Sequence, residues 1–227
     1  MNGRSTGATQ WKSLLLAALH RNRSDRSVRF LQLATVDCHN RPRNRTVVFR
    51  GFAEGRATIM LAVDSRSEKL EQLEHNSHAA ICWYFSKTRE QFRLTGQVTV
   101  VTESGVVNPS AIYYPDNAEL TNCESTNAEL TNQEQGHWQQ ATRLQLWEEL
   151  SDSAKLLWYW PQPKGERAPT NAFLSQPPTD SLYPPDTFVL LLFNATEVDR
   201  LELRGEPQNR TIYSQRTEGW QTRTVNP

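Results

Sequence analysis

Four arginines crowd ten residues of the chain: Arg41, Arg43, Arg45 and Arg50, set around the apolar run Val47-Val48-Phe49. That run reads as the middle of a β-strand, and an unpaired guanidinium is costly to bury. Either the strand crosses a whole sheet and both ends reach water, or an anion waits at one end. A second cationic group follows in "DSRSEKLEQL", where Arg66, Ser67 and Lys69 stand at the start of a helix. Backbone N–H groups at a helix N-terminus favour an anion. Ser67 adds a hydroxyl donor, while Arg66 and Lys69 add charge. Arg210 opens a late strand. Three separate segments could thus converge on one phosphate; the plain alternative is solvated arginines paired with surface carboxylates. Strand parity adds a condition. Arg45 and Arg50 are five apart and face opposite sides of a regular strand. They serve one ligand only at a bulge, or if the site lies between two chains.

The elements that must hold these residues follow from periodicity. Trp11, Leu14, Leu15, Ala18 and Leu19 predict a helix over 11–23. Strands are predicted over 28–37, 43–53, 57–63, 79–85 and 91–102. A helix starting at Ser65 or Ser67 carries Leu70 and Leu73 on one face. Leu144, Trp147, Leu150, Ala154 and Leu157 predict a helix over 139–157, followed by the Trp- and Pro-rich loop "WYWPQPKGERAPT". Later strands are expected over 187–193, 197–203 and 210–214. Many strands joined by short turns suggest an antiparallel barrel or sandwich. A single domain over 1–227 is expected, with a polar loop insertion around 115–136. "NAELTN" occurs twice there, too few and too short for a repeat architecture.

Bulk properties exclude several classes. Lys+Arg and Asp+Glu number 25 each, so no global field draws the chain to nucleic acid or an anionic membrane. No apolar stretch approaches the roughly 20 residues of a bilayer span. No basic-then-apolar leader is expected at the N-terminus. Three cysteines (Cys38, Cys82, Cys123) without CxxC spacing and five scattered histidines argue against a disulfide scaffold and a metal site, and fit a cytoplasmic location. Nucleophile elbow, Walker loop, dinucleotide fingerprint and HExxH are all absent from the sequence.

The order of "RNRTVVFRGF", "VDSRSEK", "REQFRLTG" and "NRTIY", with a late Trp and a final Asn-Pro, resembles the pyridoxamine 5′-phosphate oxidase family. The resemblance covers 28–227 and is closest to the branch of pyridoxamine 5′-phosphate oxidase-like FMN-binding proteins. It implies a mainly β (α+β) fold, the FMN-binding split β-barrel with flanking helices. It also implies FMN as cofactor and a homodimer with two FMN at the interface. Carried over by position, Arg45 grips the FMN phosphate, and Arg45, Thr46, Val47, Val48 and Arg50 run along the flavin. Arg50 stands where the oxidases keep a lysine. Ala62 and Val63 match the strand end beside the flavin. Ser67 and Lys69 match the phosphate-binding serine and lysine, and Arg66 or Glu68 fills the neighbouring slot, Arg66 being the chemically credible one. Gln91 matches a glutamine whose amide bonds the flavin ring, Phe188 the place of a flavin-side tryptophan, and Arg210 the late-strand arginine on the cofactor. Arg50, Trp158, Trp160 and Gln208 are the substrate-side candidates.

One departure bears on substrate. The oxidases carry an Arg-x-His-x-Arg stretch whose first two named residues hold the substrate phosphate; here it reads Glu206-Pro207-Gln208-Asn209-Arg210. A carboxylate facing a phosphate repels it. The implied activities therefore stay open. They are an FMN-dependent oxidoreductase taking hydride from a small substrate at flavin N5, a true pyridoxamine/pyridoxine 5′-phosphate oxidase, or a non-catalytic FMN carrier or sensor. None requires a catalytic side chain.

Overall fold

Period-two alternation along the strands is what lets them curl around one apolar interior. The computed structural model describes residues 7–107, 132–178 and 181–227. Cys123 and the "NAELTN" duplication, apart from its last Asn132, lie outside the described residues. Helix α1 (Gly7–Arg21) precedes β1 (Phe30–Val36), β2 (Pro42–Phe52), β3 (Ile59–Asp64), α2 (Glu68–His75), β4 (His78–Phe85), β5 (Glu90–Thr102) and β6 (Gly105–Val107). Then come α3 (Asn132–Glu148), α4 (Asp152–Lys155), β7 (Phe188–Glu202), β8 (Asn209–Arg216) and β9 (Gly219–Val225). The described strands form one sheet in the order β6-β5-β4-β1-β2-β3-β7-β8-β9. A further β5–β7 pairing closes six of them into a barrel. The protein is a mainly β, split-barrel fold with flanking helices.

Inside the barrel, Leu31, Leu33, Phe49, Ile81, Trp83 and Leu94 form one buried core. Each large apolar side chain taken fully from water contributes about 1.5–3 kcal/mol. The stripe predicted for α1 joins that core: Trp11, Leu15 and Ala18 are buried, and the Trp11 ring lies 6.0 Å from Phe52 and 6.1 Å from Trp220. A second core stands outside the barrel wall, where Phe188, Leu190 and Leu192 of β7 meet Trp147 of α3 and Trp158. The first six residues of β7, 188–193, are thus buried on both faces, which is why this stretch is continuously apolar rather than alternating.

Four elements differ from expectation. The runs 187–193 and 197–203 are one strand, not two, continuous through a bulge. The β5–β7 register passes from Thr95↔Glu197 to Gly96↔Ala195, leaving Thr196 extra. Gly96 allows the strands to cross closely there, since a Cβ on it would lie 2.0 Å from the Asn194 carbonyl oxygen. The helix expected over 139–157 starts earlier and breaks at Ser151, whose side chain caps α4 by accepting from the Ala154 N–H. Leu144 and Leu157 of the expected stripe are consequently exposed, and Leu146 is buried in their place. β9 carries no apolar alternation and β6 has three residues, so neither shows as a strand in sequence.

Candidate functional site

β2 and β3 pair only from Phe49↔Leu61 to Phe52↔Ile59. Before Phe49, β2 is paired to β1, while β3 runs on against β7. Among the described residues, the 42–48 edge of β2 facing β3 therefore has no strand partner, and the barrel is split. A cavity of about 610 Å³ opens there, within the range of small-molecule sites. Its floor is Arg45, Thr46, Val47 and Val48 from β2 with Ala62, Val63 and Asp64 from β3.

A bulge answers the parity condition. The β2–β3 register moves from Phe49↔Leu61 directly to Gly51↔Met60, so Arg50 is the extra residue. Gly51 follows it at φ +136°, a backbone conformation side chains disfavour. Arg45 and Arg50 both line the cavity as a result, and Lys69 joins them from the first turn of α2.

The three cations are held without neutralisation. Arg45 donates to the Leu33 carbonyl, to Thr35 Oγ1 at 2.5 Å and to Gln72 Oε1 at 2.7 Å. Lys69 Nζ donates to Ser67 Oγ at 2.8 Å, and the Ser67 hydroxyl in turn donates to the Asp64 backbone carbonyl. The Arg50 Nε is buried with no hydrogen-bond partner. Burial lowers the pKa of all three; Lys69 is lowered further by Arg45, and Arg50 by Arg29. Two of the nearby carboxylates are committed elsewhere. Asp64 holds Arg66 through two bonds at 2.6 and 2.9 Å, and Glu68 pairs with Lys164 at 2.6 Å.

Aromatic and proline side chains close the other wall. Trp158 is buried and fixed by its indole N–H on the Val63 carbonyl at 3.0 Å. Trp160 donates to the Leu174 carbonyl at 3.1 Å, and its ring packs edge-on against Phe173 at 5.5 Å. The 161–168 segment, which carries Lys164, Glu166 and Arg167, completes this wall with Leu157 and Phe173. Three cations facing an aromatic wall can hold an anion with a planar apolar body.

Of the residues read from sequence, Arg45, Thr46, Val47, Val48, Arg50, Ala62, Val63, Lys69, Trp158 and Trp160 line this cavity. Ser67 stands one bond behind it, on Lys69. Arg66 is engaged by Asp64, and Phe188 is buried in the outer core beneath Trp158, 5.1 Å from its ring. Gln91, Gln208 and Arg210 are elsewhere in the chain. Gln91 Nε2 lies 3.5 Å from Cys82 Sγ, and Arg210 grips Asp199 through two bonds at 2.8 and 3.0 Å. Cys82 and Asp199, with Arg93, border a second cavity of about 280 Å³. Burial pushes the Asp199 carboxyl up, but the bonds from Arg210 and Arg93 outweigh it and hold the group below the usual range. Sequence reasoning missed Thr35, Gln72 and the 161–168 wall. The one legible signal was Gln72, a polar residue on the buried side of α2 three positions after Lys69.

A six-strand barrel, split between β2 and β3 over a cation-lined cavity, defines the class as a split β-barrel. Known proteins agree. Residues 8–102 match the family model described as pyridoxamine 5′-phosphate oxidase, FMN-binding domain. The chain is 32% identical to pyridoxine/pyridoxamine 5′-phosphate oxidase 2 of Arabidopsis thaliana, over 98% of its own length and 99% of that protein's. It also superposes on the crystal structure of a pyridoxamine 5′-phosphate oxidase-related, FMN-binding protein from Nostoc punctiforme. The TM-score is 0.78 and the identity 38%, covering 96% and 97% of the two chains. PhzG from Burkholderia lata, solved with tetrahydrophenazine-1-carboxylic acid, shares the fold at TM-score 0.67 and 17% identity, over 100% and 95% of the chains. This chain belongs to the pyridoxamine 5′-phosphate oxidase family.

Proposed function

We propose that the chain acts as one FMN-dependent oxidoreductase unit on a small anionic substrate, working as a cytoplasmic homodimer. The observation that carries this reading is the placement of Arg45, Arg50 and Lys69 on one cavity, none of them hydrogen-bonded to a carboxylate among the described residues. Buried charges are ordinarily paired. Three half-buried ones left without a carboxylate partner, one with an orphaned Nε, fit a phosphate-bearing planar cofactor.

In this reading Arg45 and Lys69 hold the FMN phosphate, with Ser67 orienting Lys69. The unpaired 42–48 edge of β2 offers backbone groups to the ring, and Trp158 shields it from water. Arg50, bulged out of the strand, offers a cation to the substrate. When bound, FMN supplies the hydride acceptor, so no side chain need act as nucleophile. Arg210 and Gln91 are assigned to the partner's site. They cluster with Cys82 and Asp199, away from their own chain's cavity, and a two-fold dimer can bring one chain's cavity against the other chain's cluster.

Purified protein is expected to carry flavin absorbance, bleached in Arg45→Glu and Lys69→Glu. Protein that takes up no FMN at micromolar concentration sinks the proposal. Mixing Lys69→Met chains with Arg210→Met chains tests the dimer, because each mixed dimer regains one intact site; no recovery of FMN binding refutes shared sites. Pyridoxamine 5′-phosphate is the first substrate to assay for hydrogen peroxide, given the name of the Arabidopsis relative. Glu206 and Gln208 favour a second reading, a different anionic substrate on the same flavin. Restoring Arg and His at those positions should raise pyridoxamine 5′-phosphate turnover if they are the defect.

A further inference from the structure

Arg45 is the phosphate cation of the proposed FMN site, and the role assigned to its neighbours rests on that reading. A guanidinium carries five N–H donors. Nη1 uses both of its own, on the Leu33 carbonyl at 3.3 Å and Thr35 Oγ1 at 2.5 Å. Nη2 uses one, on Gln72 Oε1 at 2.7 Å. Two donors remain, on Nε and Nη2, neighbouring atoms of the kind that grip an oxyanion in a fork. Thr35 meanwhile donates its hydroxyl proton to Gln72 Oε1 at 2.6 Å. The directions are settled by chemistry, since arginine accepts nothing and both neighbours must present oxygen to it. Thr35 is 2% exposed and Gln72 6%.

Every one of these acceptors is neutral. Glutamate at position 72 would hold the guanidinium in the same place and cancel its charge. We propose that Gln72 and Thr35 are positioning residues that aim Arg45 at a ligand phosphate while leaving its charge intact. Gln72 orders two of the contacts at once, through Arg45 and through Thr35. The triad spans β1, β2 and α2, so it ties the floor of the cavity to the helix that supplies Lys69.

The test compares FMN with riboflavin, which has the same ring and no phosphate. Both are titrated into apoprotein by flavin fluorescence. Gln72→Glu keeps the shape and adds the missing carboxylate; it should weaken FMN at least 30-fold and riboflavin less than threefold. Thr35→Val and Gln72→Leu should weaken FMN about tenfold, with the same indifference to riboflavin. In an Arg45→Met background, Gln72→Glu should change FMN affinity less than threefold, because its effect runs through Arg45. Thermal melting of each apoprotein checks folding; Gln72→Glu should melt no lower than wild type. An unchanged FMN affinity, an equal loss of both flavins, or a full further loss in the Arg45→Met background overturns the inference. Wild-type protein that binds no FMN overturns the flavin reading instead.

Discussion

Lys69→Met removes a half-buried cation whose hydrogen-bond partner is a hydroxyl and on which burial and Arg45 outweigh the pull of two carboxylates, and two effects of opposite sign result. The apoprotein is relieved of holding charge beside Arg45, while in the proposed site FMN loses one charged donor to its phosphate. A hydrogen bond to a charged group contributes about 1.5–3 kcal/mol, so FMN affinity should fall roughly 10- to 150-fold. The apoprotein should be unchanged or up to about 1 kcal/mol more stable, since Met preserves the aliphatic stem. The pH dependence has a definite sign. Burial first, then Arg45, lowers the Lys69 pKa below its ordinary 10.5 against the pull of Asp64 and Glu68. Between that lowered value and 10.5 the unfolded chain binds more protons than the folded one. Wild-type stability therefore rises with pH through the window relative to the variant, and the variant's advantage vanishes above it. A bound phosphate favours charged Lys69, so FMN affinity of the wild type falls as pH rises through the same window. Flavin titrations and urea unfolding at steps from pH 7 to 10.5 measure both, taken as wild-type-to-variant ratios. Equal affinities at pH 7, or parallel pH profiles, refute the assignment of Lys69 to the phosphate.

Arg50→Met should leave FMN affinity within about fivefold of wild type but lower kcat/KM for an anionic substrate about tenfold or more, the value of one charged hydrogen bond. Loss of FMN binding with unaltered kcat/KM would place Arg50 on the cofactor phosphate instead. Gly96→Ala puts a Cβ 2.0 Å from the Asn194 carbonyl oxygen and forces β5 and β7 apart. It should cost about 3 kcal/mol or more in urea unfolding; a cost under about 1 kcal/mol contradicts the close crossing. The Asp37 carboxyl is held down to about 2, chiefly by the Arg41 N–H, with help from Arg43 and the His39 N–H against burial. That stabilisation is complete above a pH of about 3.9 and is lost as pH falls toward 2. Asp37→Asn should therefore flatten the acid limb of the stability curve, and an unaltered slope between pH 4 and 2 counts against the contact.

The strands β1 to β5 and helices α1 and α2 were legible in the chain because alternation and the i, i+3, i+4 spacing are local properties of one segment. β7 was read as two strands because the interruption at Thr196 looks like a turn when its partner is not known. Only pairing with β5 shows that one extra residue is absorbed as a bulge. The cationic residues were legible for a related reason: Arg45, Arg50 and Lys69 announce charge where apolar residues are expected. What no single segment could say was whether they meet. That depended on the register between β2 and β3, which skips Arg50 and brings it onto the cavity with Arg45. A local pairing with Asp64, two residues earlier, separated Arg66 from Lys69, although the two cations are three residues apart. Tertiary structure also placed Trp158 against Val63, ninety-five residues earlier in the chain. Thr35 and Gln72 carry no charge and no motif, and their part is visible only where β1, β2 and α2 converge. By itself the sequence determined the barrel class, its family and which side chains carry charge. The fold decided which of those charges stay unpaired, because pairing is a matter of distance between segments that the chain brings together only when folded.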